Sequence, residues 1–306
     1  MKGSDLQNSP SIVALGDLMM DIACRAQAPI LYGTDCFVQG GVSAGGSAAN
    51  FAVWAARLGA SVGLIAKVGD DLFGRSLLQD LEREGVATGV VVSTQTTGFT
   101  MLVIDQSGER TMFAARGATS ELSISDLNWE LLDHADVLHV TAYSFFEDTP
   151  REAALAAMGR VKRRGKLLSL DPSAYGYLQR LGPEAFIAMA QGVDLLFPNL
   201  DEGRVLTGEQ EPERILRALL TRFPVVALKM GPDGALAGTG DSIIHHPGYA
   251  VPVVDTTGAG DAFAAAFVVT WLRQHDLVAA VREGNRIAAG VIQVPGARLT
   301  ATPPAA

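Results

Sequence analysis

Cysteine is scarce: the 306 residues hold only Cys24 and Cys36, and no CxxC pair. That excludes a thiolate zinc site and a disulfide framework. No secretory leader is evident, so the expected compartment is a reducing cytoplasm in which both remain thiols. Long apolar runs are missing as well. The stretch 262–272 falls short of the ~18 residues that a membrane span needs. Positive charge is in deficit, with 24 Lys and Arg against 33 Asp and Glu, a net charge of −9 and a pI near 5.0. A nucleic-acid partner is therefore not expected, because phosphate neutralisation needs clustered cations. The densest basic cluster, RVKRRGK at 160–166, reads as a helix C-terminus favoured by its dipole. There is no GxxxxGK[ST] and no internal repeat.

What the chain does have is apolar residues (48%), few charges (19%) and 33 glycines gathered in short runs. This composition supports a large buried core. The length suits one main core with a smaller appendage.

Short apolar runs at 11–15, 62–68, 137–140, 167–170, 195–197 and 225–228 read as buried strands. Between and around them, helical patterns occupy 48–58, 72–84, 151–164, 183–191 and 212–222. The alternation predicts βαβ units and a parallel sheet covered on both faces. In such a sheet, ligands sit beyond the carboxyl ends of the strands. Two stretches depart from the pattern. Residues 22–42 lack helical periodicity, and 90–116 read as strand–turn–strand around DQSG at 105–108. They are expected to pair into a small sheet, either as decoration or as a lid that excludes water. The expected division is thus 1–21, 43–89 and 117–306 in a large α/β domain and 22–42 with 90–116 in the small one, with 300–306 a frayed tail.

The stretch 251–267 (VPVVDTTGAGDAFAAAF) is the most informative. An extended run leads into Gly258-Ala259-Gly260-Asp261 and then a helix of small residues. Glycines at a helix start let several N–H groups converge where the positive end of the dipole also points. A phosphoryl group in transfer would be stabilised there, and Asp261 in the first turn is placed to take a proton from an attacking hydroxyl. The same residues also suit a simple helix cap with close packing. A dinucleotide site fits poorly, because GAGDAF lacks the third glycine of GxGxxG.

DTTGAGDAF resembles the second signature of the PfkB (ribokinase-like) carbohydrate kinases, and GGSAAN at 45–50 resembles the first. The similarity runs from Ile12 to Ala297. It implies a ribokinase-like α/β fold, a doubly wound and mostly parallel sheet with helices on both faces and a small β-sheet lid. It implies ATP and Mg2+ as cofactors and Asp261 as the base, with Gly258, Ala259 and Gly260 as the anion hole. For the acceptor it implies Asp17, Asp21, Gly45, Gly46 and Asn50, with Arg110 and Arg116 at lid positions that vary with substrate. Asp21 would grip sugar hydroxyls, since one carboxylate accepts two neighbouring O–H bonds. For ATP and Mg2+ it implies Asn199 and Glu202 of an NxxE motif, Gly258 and Gly260, Lys229 and Gly231, and Asn285, Ala288 and Ala289 beside the adenine. NxxE spacing is also that of a capping box, and Lys229 stands where the family often has Thr. Asp255, Thr257 and Gly296 fall where many members hold a monovalent cation; whether K+ serves here stays open. The segment VGDDLFG at 68–74 is read as a structural turn and helix entry.

The expected acceptor is a sugar or sugar acid, with a nucleoside as the alternative within the family. A non-catalytic sugar-binding regulator is disfavoured, because Asp261 and the anion-hole glycines are all present. A homodimer through the lid is the expected assembly.

Overall fold

The computed structural model describes residues 9–31, 33–106, 110–240 and 242–298, with residue 110 described by its backbone alone. The expected turn at 105–108 lies partly outside these residues and the tail 300–306 wholly so. In chain order the strands are Ser11–Leu15 (β1), Met19–Ala26 (β2), Val38–Gly45 (β3), Ser61–Ile65 (β4), Lys67–Gly69 (β5), Ala87–Thr88 (β6) and Val91–Ser93 (β7). They continue with Phe99–Ile104 (β8), Arg110–Ala115 (β9), Val137–Thr141 (β10), Leu167–Asp171 (β11), Leu195–Leu196 (β12), Val225–Lys229 (β13), Ala235–Thr239 (β14) and Ser242–His246 (β15).

Helices on both faces explain the apolar strands. β1 is buried at four of its five positions and β10 at all five, because both faces of their sheet are covered. That sheet has the order β15-β14-β13-β12-β11-β10-β1-β4-β6, parallel from β6 to β13 and antiparallel at β14 and β15. One face packs on Ser47–Arg57 (α1), Leu72–Arg83 (α2), and two later helices, Ala259–Gln274 and Leu277–Val291. The other face is covered by Trp129–His134 (α3), Asp148–Arg163 (α4), Tyr175–Leu181 (α5), Pro183–Met189 (α6), Leu200–Thr207 (α7) and Pro212–Leu220 (α8). The two later helices are α9 and α10. Successive strands are added to one side of β1 and then, from β10 on, to the other, which makes the β1–β10 border the switch point where ligands gather in open α/β sheets. No helix among the described residues is long and apolar enough to cross a membrane.

The small sheet has the order β3-β2-β8-β9. Its strands reach further than the expected segment 22–42, from Met19 and to Gly45, because the two run antiparallel in register over their whole length. Val91–Ser93, expected with the small sheet, pairs instead with β5 of the large domain. Three residues carry too little alternation to show which sheet they join. Asp71, in the GDDLFG segment, caps α2 by accepting from Gly74 N at 2.8 Å. It also accepts from Thr97 N at 2.7 Å and Thr97 Oγ1 at 2.7 Å, fixing the chain where it enters β8.

The aromatic core beneath α9 holds that helix on the sheet. Phe267 is fully buried, edge-on to Phe197 at 5.1 Å between ring centroids. Phe267→Ala is expected to lower the unfolding free energy by about 3–5 kcal/mol in a urea titration. A loss under about 1 kcal/mol would show that α9 is held elsewhere.

Candidate active site

Beyond the carboxyl ends of the parallel strands, under the small sheet, lies a cleft of about 860 Å³. Alternate residues of the small sheet face it: Asp21, Ala23 and Arg25 of β2, then Thr100, Leu102 and Ile104 of β8. The strand period of two places them on one face.

Asp261 stands in the first turn of α9, on the cleft wall. Its Oδ1 accepts from Ser47 Oγ at 2.6 Å and its Oδ2 from Asn50 Nδ2 at 2.9 Å, both on α1. Burial pushes its pKa up to about 7. The two donors and Lys229 pull it down, while Asp171 pushes it up. Gly258 precedes the helix at φ 75°, where a Cβ would lie 2.4 Å from that of Ala297. Only glycine can begin this helix so close to the C-terminal segment. Gly258 and Gly260 both line the cleft, and the unpaired N–H groups of a helix's first turn give such a wall a positive edge.

Asp17 is buried at the switch point. Its Oδ2 accepts from Ser47 N at 2.9 Å, and its Oδ1 accepts from Thr141 Oγ1 at 3.1 Å and from Ala48 N at 3.4 Å. Much of its accepting capacity thus goes to holding the start of α1, which Gly46 precedes. Asp21 differs: no side chain among the described residues donates to it, and it faces the cleft. Burial and Asp17 push its pKa up to about 6, against the nearby Arg298, with Asp255 adding to the rise. Its carboxylate lies against Gly45, where a Cβ would be 2.1 Å from Oδ2. Gly45 is therefore the floor on which Asp21 rests.

At the other end of the cleft, Lys229 Nζ is paired with Asp171 Oδ2 at 2.6 Å. The ammonium would be 3.2 Å from a Cβ on Gly260, so it sits beside the start of α9. Burial opposes its charge, yet Asp171, Glu202 and Asp261 together hold its pKa above the usual lysine value. Asn199 and Glu202 form a capping box at the start of α7. Asn199 N and Nδ2 donate to Glu202 Oε2 and Oε1, each at 2.8 Å, and Glu202 N donates to Asn199 Oδ1 at 2.9 Å. Both line the cleft, and burial, then Asp171, pushes Glu202 up to about 7 against Lys229 and the Asn199 amide. Among the described residues no three His, Cys, Asp or Glu side chains cluster as a metal cage.

The cleft also receives Arg116, whose Nε is 3.2 Å from Glu147 Oε1. The Arg110 side chain lies outside the described residues. Asp255 closes a loop by accepting from Thr257 N and Oγ1 and, through Oδ2, from Gly296 N at 3.0 Å; all three residues border the cleft. Gly231, Asn285, Ala288 and Ala289 lie outside the cleft lining. Asn285, expected to face the adenine, is buried and donates its amide to His246 O at 3.0 Å, tying α10 to the end of β15. Two groups at or behind the cleft were not singled out by sequence reasoning: Ser47, which lines it, and Arg298, which stands behind Asn50. Ser47 lies inside GGSAAN as the first residue of α1, and its hydroxyl donates to Asp261.

A doubly wound sheet with an acid at a glycine-started helix, roofed by a second sheet, defines a class of small-molecule phosphotransferases. The description of the pfkB family of carbohydrate kinases fits residues 9–304, and the chain belongs to that family. It is 35% identical over 263 residues to an ATP-dependent ribose-1-phosphate kinase of Halopiger xanaduensis, covering 85% of this chain and 84% of that one. It is 32% identical to the 2-dehydro-3-deoxygluconokinase of Bacillus subtilis, covering 82% and 81%. In structure it matches adenosine kinase from Sinorhizobium meliloti with a TM-score of 0.87 at 24% identity, over 96% of this chain and 97% of that one. It matches an E. coli protein provisionally assigned as Ribokinase II, in complex with ATP and Mg2+, at 0.85 and 25%, over 94% of each. The fold is ribokinase-like, and the enzyme is a phosphotransferase acting on an alcohol group.

The raised pKa of Asp261 fixes the sign of a stability effect. From its ordinary value of 3.8 up to about 7 the folded state binds a proton that the unfolded chain releases, so stability falls as pH rises through that window. Asp261→Asn removes this contribution. In urea titrations the variant is expected to lose less stability than the wild type between about pH 5 and about pH 8. Parallel losses would contradict the raised pKa.

Proposed function

We propose that the chain transfers the γ-phosphoryl group of ATP to a hydroxyl of a sugar or sugar acid, with Asp261 as general base. The observation that carries this reading is the Asp261 carboxylate itself. It stands on the cleft, held by Ser47 and Asn50, beside the start of α9 and the Lys229 ammonium. A pKa of about 7 lets it take a proton near neutral pH and release it after transfer.

The acceptor oxygen attacks phosphorus while its proton passes to Asp261, and the bond to the β-phosphate breaks with its electron pair leaving on ADP. Charge spread over the moving phosphoryl is met by the N–H groups at the start of α9 and by Lys229, so the protein's work is positioning and charge stabilisation. Magnesium bound with ATP would neutralise phosphate charge, and Asn199 and Glu202 are the residues placed to hold it through water. Asp21 grips the acceptor's hydroxyls. The small sheet acts as a lid that keeps water from the phosphoryl. A monovalent cation beside Asp255, Thr257 and Gly296 belongs to the same reading, as does a cytoplasmic location.

Arg25 and Arg116 on the cleft wall favour an acceptor that carries a phosphate or carboxylate over a nucleoside. The test is ADP release with Mg·ATP and a panel of ribose 1-phosphate, fructose, 2-dehydro-3-deoxygluconate and adenosine. Turnover is expected on an anionic sugar; adenosine as the best acceptor would favour the nucleoside reading. Asp261→Asn should lower kcat by about 10²–10⁴-fold while the protein still unfolds cooperatively. Wild-type turnover in that variant would remove Asp261 from the chemistry.

A homodimer through the lid completes the proposal. Val42, Met101 and Phe113 are exposed and adjoin one another across the small sheet through Ile22. A second copy would cover them. Sedimentation should give a dimer for the wild type and a monomer for Phe113→Asp; a monomeric wild type would sink the idea.

A further inference from the structure

Arg298 lies two residues beyond the last glycine of the cleft wall and is only 8% exposed. Its guanidinium reaches three partners. Nε donates to Asn50 Oδ1 at 3.0 Å, Nη2 to the Gly45 carbonyl at 2.8 Å, and Nη1 to Asp80 Oδ2 at 2.5 Å. The backbone on either side is clamped to α1. Trp54 Nε1 donates to the Ala297 carbonyl at 3.0 Å, and Arg57 Nη1 donates to the Arg298 carbonyl. One face of α1 therefore presents Asn50 to the cleft while its next turns anchor the segment that carries Arg298.

We propose that Arg298 is a positioning residue for the transfer reaction: it fixes the amide of Asn50 so that the NH2 end, and not the oxygen, meets Asp261. A guanidinium has donors and no acceptor. Asn50 must therefore turn Oδ1 toward Arg298 and Nδ2 toward Asp261 Oδ2, at 2.9 Å. An amide in that sense can only donate to the carboxylate, which favours the proton-accepting form of Asp261 and holds its plane toward the acceptor. A flipped amide would set oxygen against oxygen and favour the protonated acid instead. The same guanidinium supports the Gly45 carbonyl under Asp21, so the acceptor floor and the base share one brace. Asp80, with the nearby charges of Asp21 and Glu84, offsets the cost of burying the cation.

This inference rests on Asp261 being the base. The test is a double-mutant cycle on kcat with Mg·ATP and the fastest acceptor of the panel above, with Asp261→Asn alongside. Arg298→Met should lower kcat by about 10- to 100-fold and leave the KM for ATP within about twofold. In an Asn50→Ala background the same change should cost no more than about twofold, because its route to Asp261 is already cut. Losses that multiply, or an unchanged kcat, would overturn the proposal. If Asp261→Asn is inactive while Arg298→Met is not, this inference fails and the base assignment stands. If Asp261→Asn is active, the base assignment fails first. Should Arg298→Met not fold, Arg298→Lys keeps the buried charge opposite Asp80 but loses the fork, and it runs the same cycle. Selective 15N-asparagine labelling gives a readout that needs no acceptor. The side-chain NH2 of Asn50, assigned by its loss in Asn50→Ala, should be protected from exchange in the wild type and lose that protection in either Arg298 variant. Retained protection would overturn the proposal.

Discussion

Two helices from opposite ends of the chain meet at one carboxylate. Ser47 and Asn50 on α1 donate to the two oxygens of Asp261 on α9, across 214 and 211 residues of sequence. The remainder of the site is arranged so that this meeting can occur. α1 has to start at the switch point, which Asp17 secures by accepting from its first backbone amides. α9 has to start against the C-terminal segment, which only a glycine at 258 permits. The aromatic packing of Phe263 and Phe267 on Phe197 then keeps α9 at a fixed height above the sheet.

Charge balance is the second constraint. Asp261, Asp171 and Glu202 crowd one end of the cleft, and Lys229 is the cation among them. Removing one member of a buried pair leaves the other uncompensated, at a cost of about 3–5 kcal/mol. Lys229 is thus held in place by the acids around it. The raised pKa values of Asp261 and Glu202 have the same origin, which is burial beside Asp171. Ionisation of either acid costs the fold stability as pH rises toward neutrality.

Much of this was legible in the sequence, and the reasons differ by element. The core strands announce themselves because strands buried on both faces must be continuously apolar. GGSAAN and DTTGAGDAF stand out because glycines at helix starts are spaced for close backbone approach. The edge strand β15, its neighbour β14 and the three-residue β7 carry too little pattern to declare a sheet. NxxE is a capping box in the structure, and its spacing alone could not say whether the pair also faces a ligand. Asn285 shows the reverse limit. Its amide ties α10 to the end of β15, a contact that no local pattern in the sequence announces. Arg298 was invisible because its partners, Asn50, Gly45 and Asp80, lie more than two hundred residues away in sequence.

The central claim is that Asp261 acts as a base whose pKa burial has lifted to about 7. The most direct measurement is the pH dependence of kcat/KM for the acceptor. The account predicts an acid limb with unit slope that bends near pH 7, where Asp261 gains its proton. A profile that stays flat down to about pH 5 would contradict it, and the proton would have to leave the acceptor by another route.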